Sequence, residues 1–160
     1  MSTRTGERNA ARGPAPAAPE AGRSPTLILR GMARVLIVDD EPYILRILAF
    51  KLRRAGYVAL EAANAEEALA ILENGAVDCL ILDVSLGAPM TGFQLAERLR
   101  DDPRHCRTPV VFLTAHALAA EVRRGRELGA AAYITKPFSL QQVLEQVGNL
   151  VPLDGAEHRA

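Results

Sequence analysis

The sequence predicts an α/β domain with a five-stranded parallel sheet and helices on both faces. Three observations carry this prediction. Short runs of β-branched and aliphatic residues recur along the chain: Val35-Leu36-Ile37-Val38, Cys79-Leu80-Ile81-Leu82, Val110-Val111-Phe112-Leu113 and Ala132-Tyr133-Ile134-Thr135. Runs of this length, uninterrupted by polar residues, suit strands buried on both faces. Segments of helical period lie between them, as parallel pairing with right-handed crossovers requires. Each run also ends in a polar residue of a different kind: Asp39-Asp40, Asp83, Thr114 and Lys136-Pro137. In an open parallel sheet, ligands bind outside the carboxyl ends of the strands, so these residues are predicted to gather at one edge.

The elements follow in order. Residues 1–26 are rich in Ala, Pro, Gly and Arg, and residues 1–31 hold five Arg against two Glu. Such a segment buries too little apolar surface to offset its ordering entropy, which predicts a disordered N-terminal extension. The domain is expected over 32–151, with 152–160 as a C-terminal tail; Met1 and Met32 are both candidate translation starts. After the first strand, Pro42 suits a first helical position. Ile44, Leu45, Ile47, Leu48 and Leu52 give that helix its apolar face, and Gly56 ends it. Val58–Ala62 is a short second strand. Asn64 with Glu67 reads as a capping box for the second helix, which Asn74-Gly75 stops. The third strand ends at Asp83, and a loop from Val84 to Thr91 leads to a helix turning Phe93, Leu95, Ala96 and Leu99 inward. Asp102-Pro103 breaks it. The fourth strand ends at Thr114, and its helix runs to Leu128-Gly129. The fifth strand ends at Lys136-Pro137, and Ser139 with Gln142 reads as a capping box for a last helix through Leu150.

Composition narrows the function classes. Net charge is zero, and residues 32–150 carry thirteen basic against fifteen acidic residues, which leaves no electrostatic footprint for nucleic acid. No apolar stretch approaches the roughly 20 residues that span a bilayer. Cys79 and Cys106 are the only cysteines, one of them inside a predicted strand, so a reducing, cytoplasmic setting is expected.

The strand-end residues suggest phosphoryl chemistry. Clustered carboxylates do not all stay ionised without a cation, and a hard, oxygen-seeking ion suits them. Magnesium fits better than calcium because few protein oxygens are on offer. Lysine and threonine suit phosphoryl oxygens. A carboxylate can itself attack phosphorus and form an acyl phosphate once its charge is neutralised. A plainer reading remains for part of the set: Asp40 ahead of Glu41-Pro42 also suits a helix cap.

The segments VLIVDDEP, LILDVSLGAPMTGF, VVFLTA and YITKPF resemble, in this order, the receiver domain of two-component response regulators, and the resemblance covers about residues 33–150. It implies a (βα)5 flavodoxin-like receiver fold. It further implies that Asp83 is the phosphoacceptor and that Asp39, Asp40, Asp83 and the backbone carbonyl of Ser85 hold Mg2+. Thr114 corresponds to the switch hydroxyl, Lys136 to the lysine that pairs with the phosphoryl group, Tyr133 to an aromatic rotamer switch, and Pro137 to a cis-peptide proline. Ser85 and His116 occupy positions that tune the lifetime of the acyl phosphate.

Some residues depart from the family pattern. One extra residue lies between Asp83 and Gly92, Gly87 stands where a proline is usual, and Thr91 replaces an acidic residue. Ala131-Ala132 replaces a commonly acidic pair.

The resulting expectation is a stand-alone response regulator, phosphorylated by a sensor histidine kinase or histidine phosphotransfer protein. It is not an enzyme in the usual sense, though it assists its own phosphorylation and dephosphorylation. It would signal to a downstream protein through the face formed by the fourth helix, fifth strand and fifth helix, with no nucleic-acid or membrane partner. It would be a monomer or a weak phosphorylation-dependent dimer. Two rivals differ in class. A pseudo-receiver would dock without phosphorylation, and an aspartate-nucleophile phosphohydrolase would need a second acid where Ser85 stands. A nucleotide binder lacks its Gly-rich turn.

Overall fold

The computed structural model describes residues 32–153. The predicted extension (1–31) and the end of the predicted tail (154–160) lie outside the described residues. Five strands, β1 (Arg34–Val38), β2 (Val58–Ala62), β3 (Cys79–Asp83), β4 (Val110–Thr114) and β5 (Ala132–Thr135), alternate with five helices. The helices are α1 (Pro42–Arg54), α2 (Ala65–Glu73), α3 (Gly92–Arg100), α4 (Ala119–Glu127) and α5 (Leu140–Leu150). All strand pairs are parallel, in the order β2-β1-β3-β4-β5. The predicted fold class is the observed one.

Alternation along the central strands divides the core in two. Leu36, Val38, Leu80, Leu82, Val110 and Phe112 face α2 and α3, where they meet Ala68, Leu72, Leu95 and Leu99. Val35, Ile37, Cys79, Ile81, Val111 and Leu113 face the opposite way, against Leu45, Leu48 and Leu52 of α1 and Val143 and Val147 of α5. The sheet is covered on both sides, which is why β3 and β4 read as unbroken apolar runs: all ten of their residues are buried. Cys79 is part of this packing, and burial pushes its thiol pKa up to about 12. Both cysteines are free, and no helix among the described residues is long and apolar enough to cross a membrane.

Local chemistry at the helix ends differs in places from the sequence reading. Asn64 caps α2 by accepting from Glu67 N–H, but Glu67 Oε2 takes the Ala63 N–H at 2.7 Å rather than that of Asn64. Ser139 accepts from Gln142 N–H at 3.0 Å. The reciprocal capping box lies instead at Thr91, whose hydroxyl accepts from Gln94 N–H while Gln94 Oε1 accepts from Thr91 N–H. The residue that replaces the family's usual acid thus starts α3. Helix α4 starts only at Ala119, because Leu118 is extended and offers no side-chain cap. Far from the site edge, Arg100 donates to the carbonyls of Cys106, Thr108 and Leu128, tying the β4 and β5 entry turns together.

The β3–α3 loop bends through Gly87 (φ +73°) and a cis Ala88–Pro89 bond. Gly92 then passes so close to the site strand that an added Cβ would lie 2.1 Å from the Asp83 carbonyl oxygen, and its own N–H donates to Val84 O at 2.9 Å. Two alanine variants separate these demands. Gly92→Ala forces backbone against backbone and is expected to cost about 3 kcal/mol or more. Gly87→Ala has open space around it and bears only the left-handed conformation, about 1–2 kcal/mol. Urea unfolding measures both; equal costs would contradict this reading of the loop.

Candidate functional site

The strand ladder extends past the strand ends and sets the site. Asp39 N–H donates to Ala62 O at 3.1 Å, Val84 N–H to Leu113 O at 2.9 Å, and Lys136 N–H to Thr114 O at 2.6 Å. The residues that terminate β1, β3, β4 and β5 are thereby fixed along one edge of the sheet. Lys136 precedes a cis peptide bond to Pro137, as the resemblance implies.

The Lys136 ammonium is the hub. Its Nζ lies 3.0 Å from Asp39 Oδ2, 3.1 Å from Glu41 Oε1 and 3.3 Å from Asp83 Oδ2. Asp39 is fully buried and Asp83 is 3% exposed. Their second oxygens are also held: Glu41 N–H donates to Asp39 Oδ1 at 2.9 Å, and Ser85 N–H to Asp83 Oδ1 at 3.0 Å. Burial raises the pKa of Asp39, opposed by the Glu41 N–H and by Lys136. Burial, aided by the charge of Asp39, pushes Asp83 up to about 6 against the pull of Ser85 N–H and Lys136. Burial also disfavours the ammonium, but its hydrogen bonds to Asp39 and Glu41 outweigh this and hold Lys136 above its ordinary value. One cation does not neutralise so many acids.

The structure brings Asp39, Asp40, Asp83, Thr114 and Lys136 to this edge, though not all into contact, while Tyr133 lies within β5 in register with Phe112. Asp40 is exposed, and its carboxylate lies with those of Asp39 and Glu41 so that one oxygen from each falls within 4.8 Å of the others. Asp83 joins the group through Lys136 rather than through Asp40. Thr114 is turned toward the loop: its hydroxyl donates to His116 O at 2.9 Å and accepts from His116 N–H at 3.1 Å. Tyr133 packs its ring on Phe112 (centroids 6.0 Å apart), with its hydroxyl buried and unpartnered. That burial raises its pKa.

Sequence reasoning did not single out two contributors. Glu41 sits inside the quoted VLIVDDEP segment, but nothing in its spacing marks it as a partner of a lysine 95 residues away. Gly125 lies beneath Tyr133, where an added Cβ would meet the ring at 3.0 Å. A glycine inside a helical pattern was its only visible signal.

The donor set suits a hard divalent cation: the carboxylates of Asp39 and Asp40 lie close together, Asp83 ends the neighbouring strand, and burial raises the pKa values of Asp39 and Asp83. Receiver domains bind Mg2+ at an acidic pocket of this kind.

Comparisons with known proteins identify the family. The response regulator receiver domain profile matches residues 35–148. The phosphate regulon transcriptional regulatory protein PhoB of Pseudomonas aeruginosa is 38% identical over 113 residues, 71% of this chain and 49% of PhoB. The transcriptional regulatory protein YvrH of Bacillus subtilis is 40% identical over 108 residues, 67% of this chain and 44% of YvrH. The chain therefore spans about half the length of the curated relatives it matches. Among solved structures, the Vibrio cholerae chemotaxis response regulator CheY4 superposes with a TM-score of 0.71 at 32% identity, over 75% of this chain and 99% of CheY4. The Thermotoga maritima response regulator TrrA, solved in complex with Mg2+ and BeF, gives a TM-score of 0.66 at 31% identity, over 75% of this chain and all of TrrA. The matched segment contains the whole carboxylate–lysine edge, and the chain belongs to the response regulator receiver domain family.

Proposed function

We propose that this chain is a phosphorylation-controlled response regulator whose acceptor is Asp83. Receiver domains take phosphoryl groups from histidine kinases. The observation that carries the assignment to Asp83 is its buried carboxylate, held by Ser85 N–H on one oxygen and Lys136 on the other, at the end of the central strand. In the transfer, a carboxylate oxygen of Asp83 bonds to phosphorus while the bond from phosphorus to the donor's nitrogen or oxygen breaks, and the donor leaves with that electron pair. Lys136 is placed to balance the charge on the phosphoryl oxygens. Asp39, Asp40, Asp83 and the Ser85 carbonyl would hold Mg2+. When bound, the ion supplies the positive charge that lets the acids and the incoming phosphoryl group share one site. The Thr114 hydroxyl reaches the phosphoryl group by giving up its two bonds to His116.

An open groove of about 540 Å³ adjoins the site, lined by Tyr43, Ile44, Ile47, Phe138 and Leu140 beside Lys136. Tyr43 is 74% exposed there. This apolar lane beside the acceptor suits a phosphodonor protein. Output runs through protein contacts of the α4–β5–α5 face, beside Thr114 and Tyr133. The intact acids, hydroxyl and lysine weigh against a pseudo-receiver. The match over 99% of CheY4 fits a receiver that acts by itself, whereas the match over about half of PhoB fits a receiver within a longer transcriptional regulator.

Two outcomes test the reading. Incubation with acetyl phosphate and Mg2+ should label Asp83, Asp83→Ala should take no label, and Lys136→Ala should be labelled about 100-fold more slowly. Label on Asp83→Ala would refute the assignment. The second outcome concerns charge. Because folding raises the Asp83 pKa from 3.8 to about 6, the native state binds its proton more tightly than the unfolded chain does. The contribution of this group to metal-free stability is therefore greatest below about pH 4 and is lost as pH rises through 6, by up to about 3 kcal/mol. Without metal, Asp83→Asn should be the more stable protein at pH 7.5 and should lose that advantage toward pH 4; addition of Mg2+ should stabilise the wild type alone. A less stable variant at pH 7.5 would contradict the charge account.

A further inference from the structure

Glu41 stands at the N-cap of α1, yet its side chain caps nothing. Its carboxylate reaches instead across the site edge to Lys136 Nζ, at 3.1 Å. An ammonium has three N–H donors, and those of Lys136 face three acceptors: Asp39 at 3.0 Å, Glu41 at 3.1 Å and Asp83, the most distant, at 3.3 Å.

The three partners differ in how readily they can release the lysine. Asp39 is fully buried, and losing Lys136 would leave its charge unpaired and out of reach of water. Asp83 is buried and is itself the proposed acceptor. The Glu41 side chain is 59% exposed, so water can replace Lys136 at little cost. Of the three, Glu41 is the partner that can be exchanged.

We propose that Glu41 is a positioning residue that holds Lys136 in a waiting state, competing with the phosphoryl group for one of its donors. Phosphorylation then moves one Lys136 hydrogen bond from Glu41 to a phosphoryl oxygen, while Asp39 keeps its own. Glu41 acts as a brake: it lowers the affinity of the site for a phosphoryl group by the strength of one half-exposed ion pair. This inference rests on the reading of Asp83 as acceptor and adds a residue that the metal and acceptor roles do not use.

The test is the affinity of the whole protein for beryllium fluoride at saturating magnesium chloride, read from the 19F NMR signal of the bound adduct. Two variants separate contact from charge. Glu41→Gln removes the charge. Glu41→Asp keeps the charge, falls one methylene short of Lys136 and is drawn toward capping α1. Both are expected to bind about two- to fivefold more tightly than the wild type, the scale of an exposed ion pair. Tighter binding by Glu41→Gln alone would mean that only the field of the carboxylate matters, and would overturn the proposal. Unchanged or weaker binding by both would overturn it as well. A wild type that forms no adduct would refute the acceptor reading itself, whereas a wild-type adduct with unresponsive variants would refute only the role of Glu41.

Discussion

The site depends on one partly buried ammonium shared among three carboxylates. Lys136 is held by Asp39, Glu41 and Asp83 within 3.3 Å, with only 15% of its side chain exposed. Such an arrangement is costly to desolvate, and it persists because the rest of the fold leaves it no alternative. The parallel register brings Lys136 beside Thr114 and Asp83 beside Leu113, and the backbone bonds beyond the strands hold each terminal residue in place. A sheet packed on both faces leaves its C-terminal edge as the place where these polar groups can meet water and ligand. Burial at this edge raises Asp83 to about 6, and a divalent cation would supply the positive charge that favours its ionised form.

The same packing gives an event at Asp83 a physical route outward. Thr114 ends β4, and two residues earlier on that strand Phe112 is fully buried between two aromatic rings. Phe93 meets it edge-on at 5.2 Å from α3, and Tyr133 lies tilted at 6.0 Å on β5. Tyr133 rests on α4 where Gly125 leaves room. The neighbouring Arg124 lies over the Phe93 ring at 5.8 Å and pairs with Glu97, binding α4 back to α3. In the proposed mechanism, a shift of Thr114 away from His116 would be passed through this packing to Tyr133 and α4, where a discriminating partner would read it as a population shift.

Much of this was legible in the sequence, for identifiable reasons. Strands buried on both faces announce themselves as apolar runs, and the polar residues closing those runs form the candidate site. The gathering of Asp39, Asp83, Thr114 and Lys136 at one edge is therefore readable from the sequence. Pro42 and Asn64 marked helix starts because their effects are local. What escaped depended on tertiary distance or on a choice between equivalent partners. Glu41 meets a lysine from the far end of the chain. Glu67 selects the Ala63 N–H over its neighbour's, a choice that spacing does not dictate. Thr91 departs from the family pattern, yet supplies the one reciprocal capping box among the described residues. The late start of α4 follows from four residues, Ala115 to Leu118, that hold no capping side chain. Gly125 has meaning only once Tyr133 lies on it.

The most direct test of the central claim uses a convenience of the sequence: the chain contains only two lysines, Lys51 and Lys136. The 1H–15N spectrum of the lysine ammonium groups at neutral pH should show Lys136 protected from exchange by its three carboxylates. With Mg2+ already present, that signal should shift when beryllium fluoride is added to the wild type and stay in place in Asp83→Ala. A Lys136 signal that exchanges as fast as that of Lys51, or one that ignores beryllium fluoride, would contradict the account.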